Sequence, residues 1–162
     1  MADETTEDYE VKVCAPDALS DSEWGRCVEI VAAGGAVAVN EAKLRAATTL
    51  VLARKGSKIV GVGTIKGVRK NYAAGIAGAE KSGYTFPSET PELGYVAVDP
   101  DHQRKGLSLS LVTELLRDSV GGLFATTDHE AMKKTLTTAG FERKGKGWQS
   151  QRNAELSLWI KG

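Results

Sequence analysis

The chain has 162 residues, of which 41% are hydrophobic and 26% charged, and its 21 basic and 21 acidic residues give a formal net charge of zero. This length suits one domain with one buried core. No apolar run approaches the roughly 18 residues of a membrane span, and the acidic N-terminus lacks the basic and apolar regions of a secretion signal. We therefore expect a cytoplasmic protein. Zero net charge argues against a dedicated duplex-DNA binder.

The N-terminal part of the chain predicts a tail, a strand and two helices. Residues 1–10 are acidic and we expect them to form a flexible tail, followed by a single domain over residues 11–162. Apolar and polar residues alternate over residues 11–14, which predicts the first strand. Ser20 or Asp21 can cap a helix to about residue 33, and Asn40 can cap a short second helix to about residue 46.

The middle of the chain predicts a hairpin and a loop. Residues 48–53 and 58–65 are β-branched and apolar, and the Lys55-Gly56-Ser57 turn separates them. Residues 68–90 contain several glycines, so we interpret them mainly as a long loop, with a loose helix over 71–81 as the alternative.

The C-terminal half predicts strands and helices in alternation. The expected elements are a strand over 93–98, a helix over 104–117, a strand over 123–126, a helix from the Asp128 cap to about 138, and two last strands containing Trp148 and residues 156–160. The order predicts a mixed α/β (α+β) domain with one sheet of about six or seven strands and helices on both faces.

Cysteine and histidine give no sign of a metal site or of a disulfide framework. Cys14 and Cys27 are expected to be reduced thiols that behave as small buried hydrophobic residues. His102 and His129 are the only histidines, and neither lies at ligand spacing from a cysteine. We expect no metal.

The segment from Val98 to Ser108 carries the strongest chemical signal, since it leads from a strand directly into a helix. The first N–H groups of a helix have no internal partner and form an anion site. Gly106 allows close approach of the backbone, while Arg104 and Lys105 place positive charge where the helix dipole disfavours it unless an anion is bound. The segment therefore predicts a phosphate or pyrophosphate site, with a plain polar connection as the alternative. It matches neither a Walker loop nor a dinucleotide fingerprint.

The same segment carries a family resemblance. Val98-x-Pro100-x-x-Gln103-x-x-Gly106-x-Ser108 resembles the acyl-CoA signature of the GNAT N-acetyltransferases, with Ser108 where that family has glycine or alanine. The element order over residues 11–162 is also similar, as is the Gly140-Phe141 pair after the last helix. The resemblance implies a GNAT-like fold with a mostly antiparallel sheet, and an acetyl-CoA-dependent N-acetyltransferase.

The resemblance also implies which residues bind the donor. In GNAT proteins the fourth and fifth strands separate and hold the pantetheine arm between them, and the next loop binds the pyrophosphate. The corresponding residues here are Val96, Ala97 and Val98 for the arm, and Gln103, Arg104, Lys105, Gly106, Leu107 and Ser108 for the pyrophosphate. The acceptor amine would enter from the other side, covered by the first two helices and the 68–90 loop.

The catalytic residues implied by the resemblance depart from the family pattern. Many GNAT enzymes use a tyrosine on the last helix as the acid, and here that position is Leu136. The thiolate would then take its proton from water or another group. Glu92 matches a position where several family members carry a glutamate and is our candidate base, with a surface glutamate as the alternative. Tyr95 is the second candidate, with packing in the sheet as the alternative. The reserve candidates are His129, Tyr72 and Tyr84, and the residues nearest to a frequent family asparagine are Asp128, His129 and Glu130.

Charge is unevenly distributed along the chain and leaves other functions open. Residues 41–70 carry eight basic residues and one acidic residue, and residues 131–162 carry seven and two. These sets are interpreted as solvated surfaces, or as groups that steer an acidic substrate, the 3′-phosphate of CoA or nucleic acid. The alternatives are therefore a nucleic-acid-modifying or tRNA-acylating enzyme of the same fold, and, because of Leu136, a non-catalytic CoA-binding regulatory module.

The expected partners are acetyl-CoA and an amine acceptor, with nucleic acid not favoured, no membrane, and a homodimer left open. Neither cysteine lies in the site segment, which favours direct transfer over a covalent thiol intermediate.

Overall fold

The described residues form seven strands and five α-helices, and the mixed α/β prediction is confirmed. The computed structural model describes residues 9–34, 39–117, 119, 121–149 and 155–162. The elements are β1 (Tyr9–Val13), α1 (Asp21–Ala33), α2 (Glu41–Arg45), β2 (Thr49–Lys55), β3 (Lys58–Lys66), α3 (Lys70–Ala77), β4 (Glu92–Val98), α4 (Leu107–Arg117), β5 (Leu123–Thr127), α5 (Glu130–Thr138), β6 (Glu142–Gln149) and β7 (Glu155–Lys161).

The chain divides into two compact units. The first consists of Met1–Lys66 and Tyr95–Ser119, and the second of Gly67–Gly94 and Val120–Gly162. The predicted single domain over 11–162 stays a prediction. Residues 1–8 of the predicted tail lie outside the described residues, and β1 begins at Tyr9, inside that tail.

The strand order is β1-β2-β3-β4-β5-β7-β6, and β4 contributes residues to both units. In the first unit, β2 pairs antiparallel with both β1 and β3. In the second unit, β4 pairs parallel with β5 at Glu92↔Phe124, while β7 pairs antiparallel with both β5 and β6.

The first unit is built around α1 packed on β2 and β3. The capping box that starts α1 joins Ser20 and Glu23: the Ser20 hydroxyl accepts from the Glu23 N–H at 3.2 Å, and the Glu23 carboxylate accepts from the Ser20 N–H at 2.9 Å. Such a cap contributes about 1 kcal/mol. The buried face of α1 packs in one core with residues of β2 and β3. The helix contributes Trp24, Cys27 and Ile30, and the strands contribute Leu50, Leu52 and Val62. Burial raises the pKa of Cys27 to about 11, which agrees with its expected role as a small hydrophobic residue.

The second unit has its own core, and this core explains a wrong prediction. Residues 70–77 form α3 instead of a loop, because Ala73 and Ile76 lie one turn apart and pack with Phe124 and Leu158. This burial outweighs the low helix propensity of Gly75.

Two predicted helix starts were also wrong. Helix α4 begins at Leu107 and not at Arg104, because Arg104 and Gly106 have φ angles of 65° and 78°, which an α-helix does not contain. Helix α5 has His129 at its N-cap instead of Asp128, and the His129 N–H donates to the Thr127 hydroxyl at 3.1 Å. Among the described residues, no helix is long and apolar enough to cross a membrane.

Candidate functional site

The β4–α4 loop, residues 99–106 of the first unit, folds back onto the end of β4. It opens with a 3-10 turn at Pro100–His102, which Asp99 caps by accepting from the Asp101 N–H at 2.9 Å. The His102 N–H donates to the Asp99 carbonyl at 2.8 Å. The Gln103 side-chain amide donates to the Val98 carbonyl at 3.2 Å. The polar groups of the loop and of the end of β4 thus contribute to holding the start of the loop.

The second half of the loop leaves backbone N–H groups available. Arg104 and Gly106 both have positive φ, a conformation that costs a non-glycine residue roughly 1–2 kcal/mol. Successive N–H groups in such turns form concave anion sites. Helix α4 begins at Leu107, so the N–H groups of its first turn have no acceptor within the helix. A Cβ atom added at Gly106 would meet nothing within 4 Å. The loop and the start of α4 are therefore a candidate anion site.

Arg26 of α1 anchors this loop. One Nη of Arg26 donates to Asp99, its Nε donates to the Ile59 carbonyl at 3.0 Å, and the other Nη donates to Glu29 at 2.6 Å. The Asp101 N–H, together with the Arg26 guanidinium, lowers the pKa of Asp99. Sequence reasoning missed Arg26. Only Asp99, a capping residue type placed directly before Pro100, carried a local signal.

The predicted donor-binding residues differ in exposure. The six predicted pyrophosphate residues lie at the junction of this loop with α4, and their role stays a prediction. Leu107 is only 2% exposed, so its side chain belongs to the core and only its backbone is left for the predicted role. The exposed residues are Gln103, Arg104 and Gly106; the half-buried ones are Val96, Ala97, Lys105 and Ser108; Val98 is buried.

Glu92 of the second unit is buried and ion-paired. Its side chain is 7% exposed, and its carboxylate lies 2.7 Å from the Arg69 guanidinium. Arg69 is 48% exposed and lies 4.2 Å from the ring centroid of Tyr72. The surface-glutamate alternative is therefore wrong, while the role of Glu92 as a base stays a prediction. Sequence reasoning missed Arg69, because nothing local links it to a residue 23 positions later.

Tyr95 of the first unit has a strained backbone. Its φ is 50°, which is rare for a bulky residue and rarer inside a strand. Its side chain packs against the first core, with the Lys66 ammonium 4.1 Å from the ring centroid, so the expected packing role is present. Strain of this kind often occurs at functional sites and motivates keeping Tyr95 as a candidate.

The sequence model of the Acetyltransferase (GNAT) family matches residues 16–135, which is well over half of the chain. The chain belongs to this family. It is therefore an acyltransferase of the GNAT type, and members of the family use acetyl-CoA as donor. Among curated proteins, no sequence matches the chain.

Solved structures share the GNAT fold. The ribosomal-protein-S18-alanine N-acetyltransferase of Escherichia coli is 14% identical at a TM-score of 0.63, over 93% of this chain and 92% of that one. The NAA60 protein of Arabidopsis thaliana is 12% identical at a TM-score of 0.67, over 94% and 97%. A GNAT-family acetyltransferase of Bacillus cereus is 18% identical at a TM-score of 0.63, over 94% and 96%. At these identities the likeness shows the fold.

The position of the usual GNAT acid cannot supply a proton here. Leu136 is fully buried in α5. Near the start of that helix, the His129 imidazole is 56% exposed and lies 3.4 Å from the Asp128 carboxylate. Of the reserve tyrosines, Tyr72 is exposed and Tyr84 is half-buried against its core. In the described ranges, no group of three or more His, Cys, Asp or Glu residues could hold a metal ion.

The C-terminal basic residues are partly neutralised. Lys133 pairs with Glu130 at 2.8 Å, and Lys144 pairs with Glu142 at 3.0 Å. Arg143 lies 3.6 Å from Glu155. These pairs agree with the interpretation of a solvated surface.

Proposed function

We propose that this GNAT protein transfers the acetyl group of acetyl-CoA to a primary amine by direct attack. The observation that carries the proposal is the β4–α4 loop, where positive φ at Arg104 and Gly106 leads the chain into the unpaired N–H groups of the first turn of α4, directly after two basic residues. Arg104 to Ser108 would bind the diphosphate, and Val96 to Val98 would lie along the pantetheine arm.

The reaction requires two proton transfers. The amine nitrogen attacks the thioester carbonyl, an N–C bond forms, the C–S bond breaks, the nitrogen loses a proton and the thiolate gains one. We assign Glu92 as the group that accepts the amine proton, with Tyr95 as the second catalytic candidate. Because Leu136 has no acidic group, the thiolate takes its proton from water or another side chain.

Direct transfer is supported by the state of the cysteines. The raised pKa of Cys27, about 11, keeps its buried thiol protonated at neutral pH, and a thiol must ionise to become an acyl carrier. Cys14 is half-buried, and its thiol points to the adjacent Ala15 carbonyl at 3.5 Å. Neither residue lies in the β4–α4 loop.

The first test is binding of acetyl-CoA by isothermal titration calorimetry. We expect the unmutated protein to bind and Gly106→Trp to lose binding, because the new side chain would fill the open space over the loop. Gly56→Trp is the matched control: Gly56 has a φ of 62°, nothing lies within 4 Å of its added Cβ, and it belongs to the β2–β3 turn. If the unmutated protein did not bind acetyl-CoA, the proposal would be wrong.

The acceptor is sought with a panel of amines, peptides and nucleic acids, read by thiol release and mass spectrometry. The Escherichia coli neighbour is named for the acetylation of an alanine in a ribosomal protein, so N-terminal peptide amines are the first members to include. Acetylated nucleic acid or aminoacyl-tRNA would favour the nucleic-acid alternative. CoA binding without release on any acceptor would favour the regulatory module. Cytoplasmic location and a homodimer stay predictions.

A further inference from the structure

Arg26 connects helix α1 to the strand end from which the β4–α4 loop departs. Its guanidinium uses all of its nitrogens: one Nη on Asp99, the other Nη on Glu29, and Nε on the Ile59 carbonyl of β3. The Arg26 side chain is 25% exposed and that of Asp99 is 9% exposed. A planar guanidinium with several fixed donors sets an orientation as well as a charge. The position of the Asp99 carboxylate is therefore determined from outside the loop.

Asp99 passes this constraint to the loop backbone. One of its carboxylate oxygens is bound by Arg26, and the other accepts from the Asp101 N–H at 2.9 Å. The Asp99 N–H donates to the Val60 carbonyl at 2.8 Å, and its own carbonyl accepts from the His102 N–H at 2.8 Å. Both the main chain and the side chain of Asp99 are thus fixed at the point where the chain leaves β4.

The loop needs such an anchor because Arg104 is strained. Its φ is 65°, and a non-glycine residue in that conformation persists only when surrounding contacts over-determine it, whereas Gly106 adopts its φ of 78° without strain. The hydrogen bonds of Asp99 and Gln103 fix the chain where it leaves β4, directly before this segment. They therefore help to hold residues 104–106 in place before a ligand binds.

We propose that Arg26 is a positioning residue for donor binding: through Asp99 it holds the β4–α4 loop in the conformation that accepts the diphosphate of CoA. The inference rests on the proposed function. Arg26 does not itself contact the donor, and its effect is preorganisation, which lowers the ordering cost of binding.

The test compares Arg26→Gln with Arg54→Gln. Arg54 is the matched control because its side chain is also 25% exposed and also forms an ion pair in the first unit, with Glu23 at 3.0 Å. Its hydrogen-bond acceptors, Glu23 and the Ser57 carbonyl, belong to α1 and to the β2–β3 turn instead of the β4–α4 loop. Each variant is titrated with acetyl-CoA and with S-acetyl-pantetheine, which keeps the thioester arm and lacks the diphosphate. Unfolding in urea measures the loss of stability of each variant.

We expect Arg26→Gln to weaken acetyl-CoA binding about tenfold or more, while its affinity for S-acetyl-pantetheine and both affinities of Arg54→Gln stay unchanged. Arg26→Lys keeps the positive charge but not the planar guanidinium, so its affinity for acetyl-CoA should lie between those of the unmutated protein and Arg26→Gln. If Arg26→Gln does not fold, Arg26→Lys replaces it in the test. The inference would be overturned if Arg26→Gln bound acetyl-CoA as tightly as the unmutated protein does, or if it lost affinity for both ligands equally. It would also be overturned if Arg54→Gln lost as much affinity for acetyl-CoA as Arg26→Gln does. If the unmutated protein binds no acetyl-CoA, the proposed function itself fails.

Discussion

Strand β4 has a buried carboxylate at each end, and each carboxylate is paired with an arginine. Glu92 begins the strand and Asp99 follows it, and their side chains are 7% and 9% exposed. The arginines differ. Arg26 is 25% exposed and donates to three acceptors, whereas Arg69 is 48% exposed, pairs with Glu92 and lies over the Tyr72 ring.

The two pairs therefore have different roles in our proposal. The Arg26–Asp99 pair positions the backbone of the β4–α4 loop, whereas the Arg69–Glu92 pair contains the candidate base. A buried ion pair adds little net stability by itself, so its geometry is the more informative feature. The Arg26–Asp99 pair is enclosed by backbone groups of β3 and of the loop, which makes it a fixed support. The Arg69 side chain beside Glu92 is 48% exposed, and the proposed function has the acceptor amine approach from that side. The predictions below test this contrast.

The largest expected effect is on turnover in Glu92→Gln. The amide is similar in size but does not accept a proton, and loss of a general base typically costs about 10²–10⁴-fold in rate. We expect kcat to fall by at least about 10²-fold, with acetyl-CoA affinity unchanged. The measurement is steady-state thiol release on an acceptor found in the panel.

Glu89→Gln is the control for Glu92→Gln. Glu89 also belongs to the second unit and also faces a cation, Lys70 at 3.7 Å, but its side chain is 66% exposed. Its turnover should equal that of the unmutated protein. Normal turnover in Glu92→Gln would remove Glu92 from the mechanism and would leave both carboxylates as structural supports.

The next effect is on acid stability and concerns Asp99. Its pKa is lowered in the folded protein by the Asp101 N–H and Arg26. A lowered folded-state pKa gives stability that is present above the unfolded value of about 3.9. This stability is lost as the pH falls through the folded value. Asp99→Asn, which removes one of the two carboxylates paired with Arg26, should lower the free energy of unfolding at pH 7 by roughly 1.5–3 kcal/mol.

The stability gap between Asp99→Asn and the unmutated protein should narrow once the pH falls below about 4. Urea unfolding at a series of pH values between about 7 and 3 measures this gap. Glu130→Gln serves as the control, since Lys133 lowers the pKa of Glu130 at an 82% exposed site, and it should change stability far less. If this difference in unfolding free energy stayed constant across the pH series, the charge of Asp99 would contribute nothing to stability.

Signals within short stretches of sequence predicted most of the helices and strands. They also predicted the loop of the candidate site, but not the residue that anchors it. Ser20 and Asn40 cap α1 and α2 as expected, because capping depends on neighbouring residues. Helix α3 was predicted only as the alternative to a loop, because its stability comes from packing on Phe124, far along the chain. The β4–α4 loop was predicted from a contiguous motif. Its anchor was not, since Arg26 and Asp99 lie 73 positions apart and only the folded chain brings them together.

The smallest expected effect sharpens the contrast between the two arginines. Arg69→Lys keeps a cation beside the buried Glu92 carboxylate and over Tyr72, and the arginine that it replaces is 48% exposed. Its free energy of unfolding and its turnover should therefore change little. Arg26→Lys should lose more stability, because one ammonium group does not reach three acceptors placed around a planar fork. Urea unfolding of both variants gives the comparison. Equal losses of unfolding free energy in the two variants would mean that the number of acceptors and the exposure of the arginine do not distinguish the two pairs. The Arg26–Asp99 pair would then support the fold no more strongly than the Arg69–Glu92 pair does.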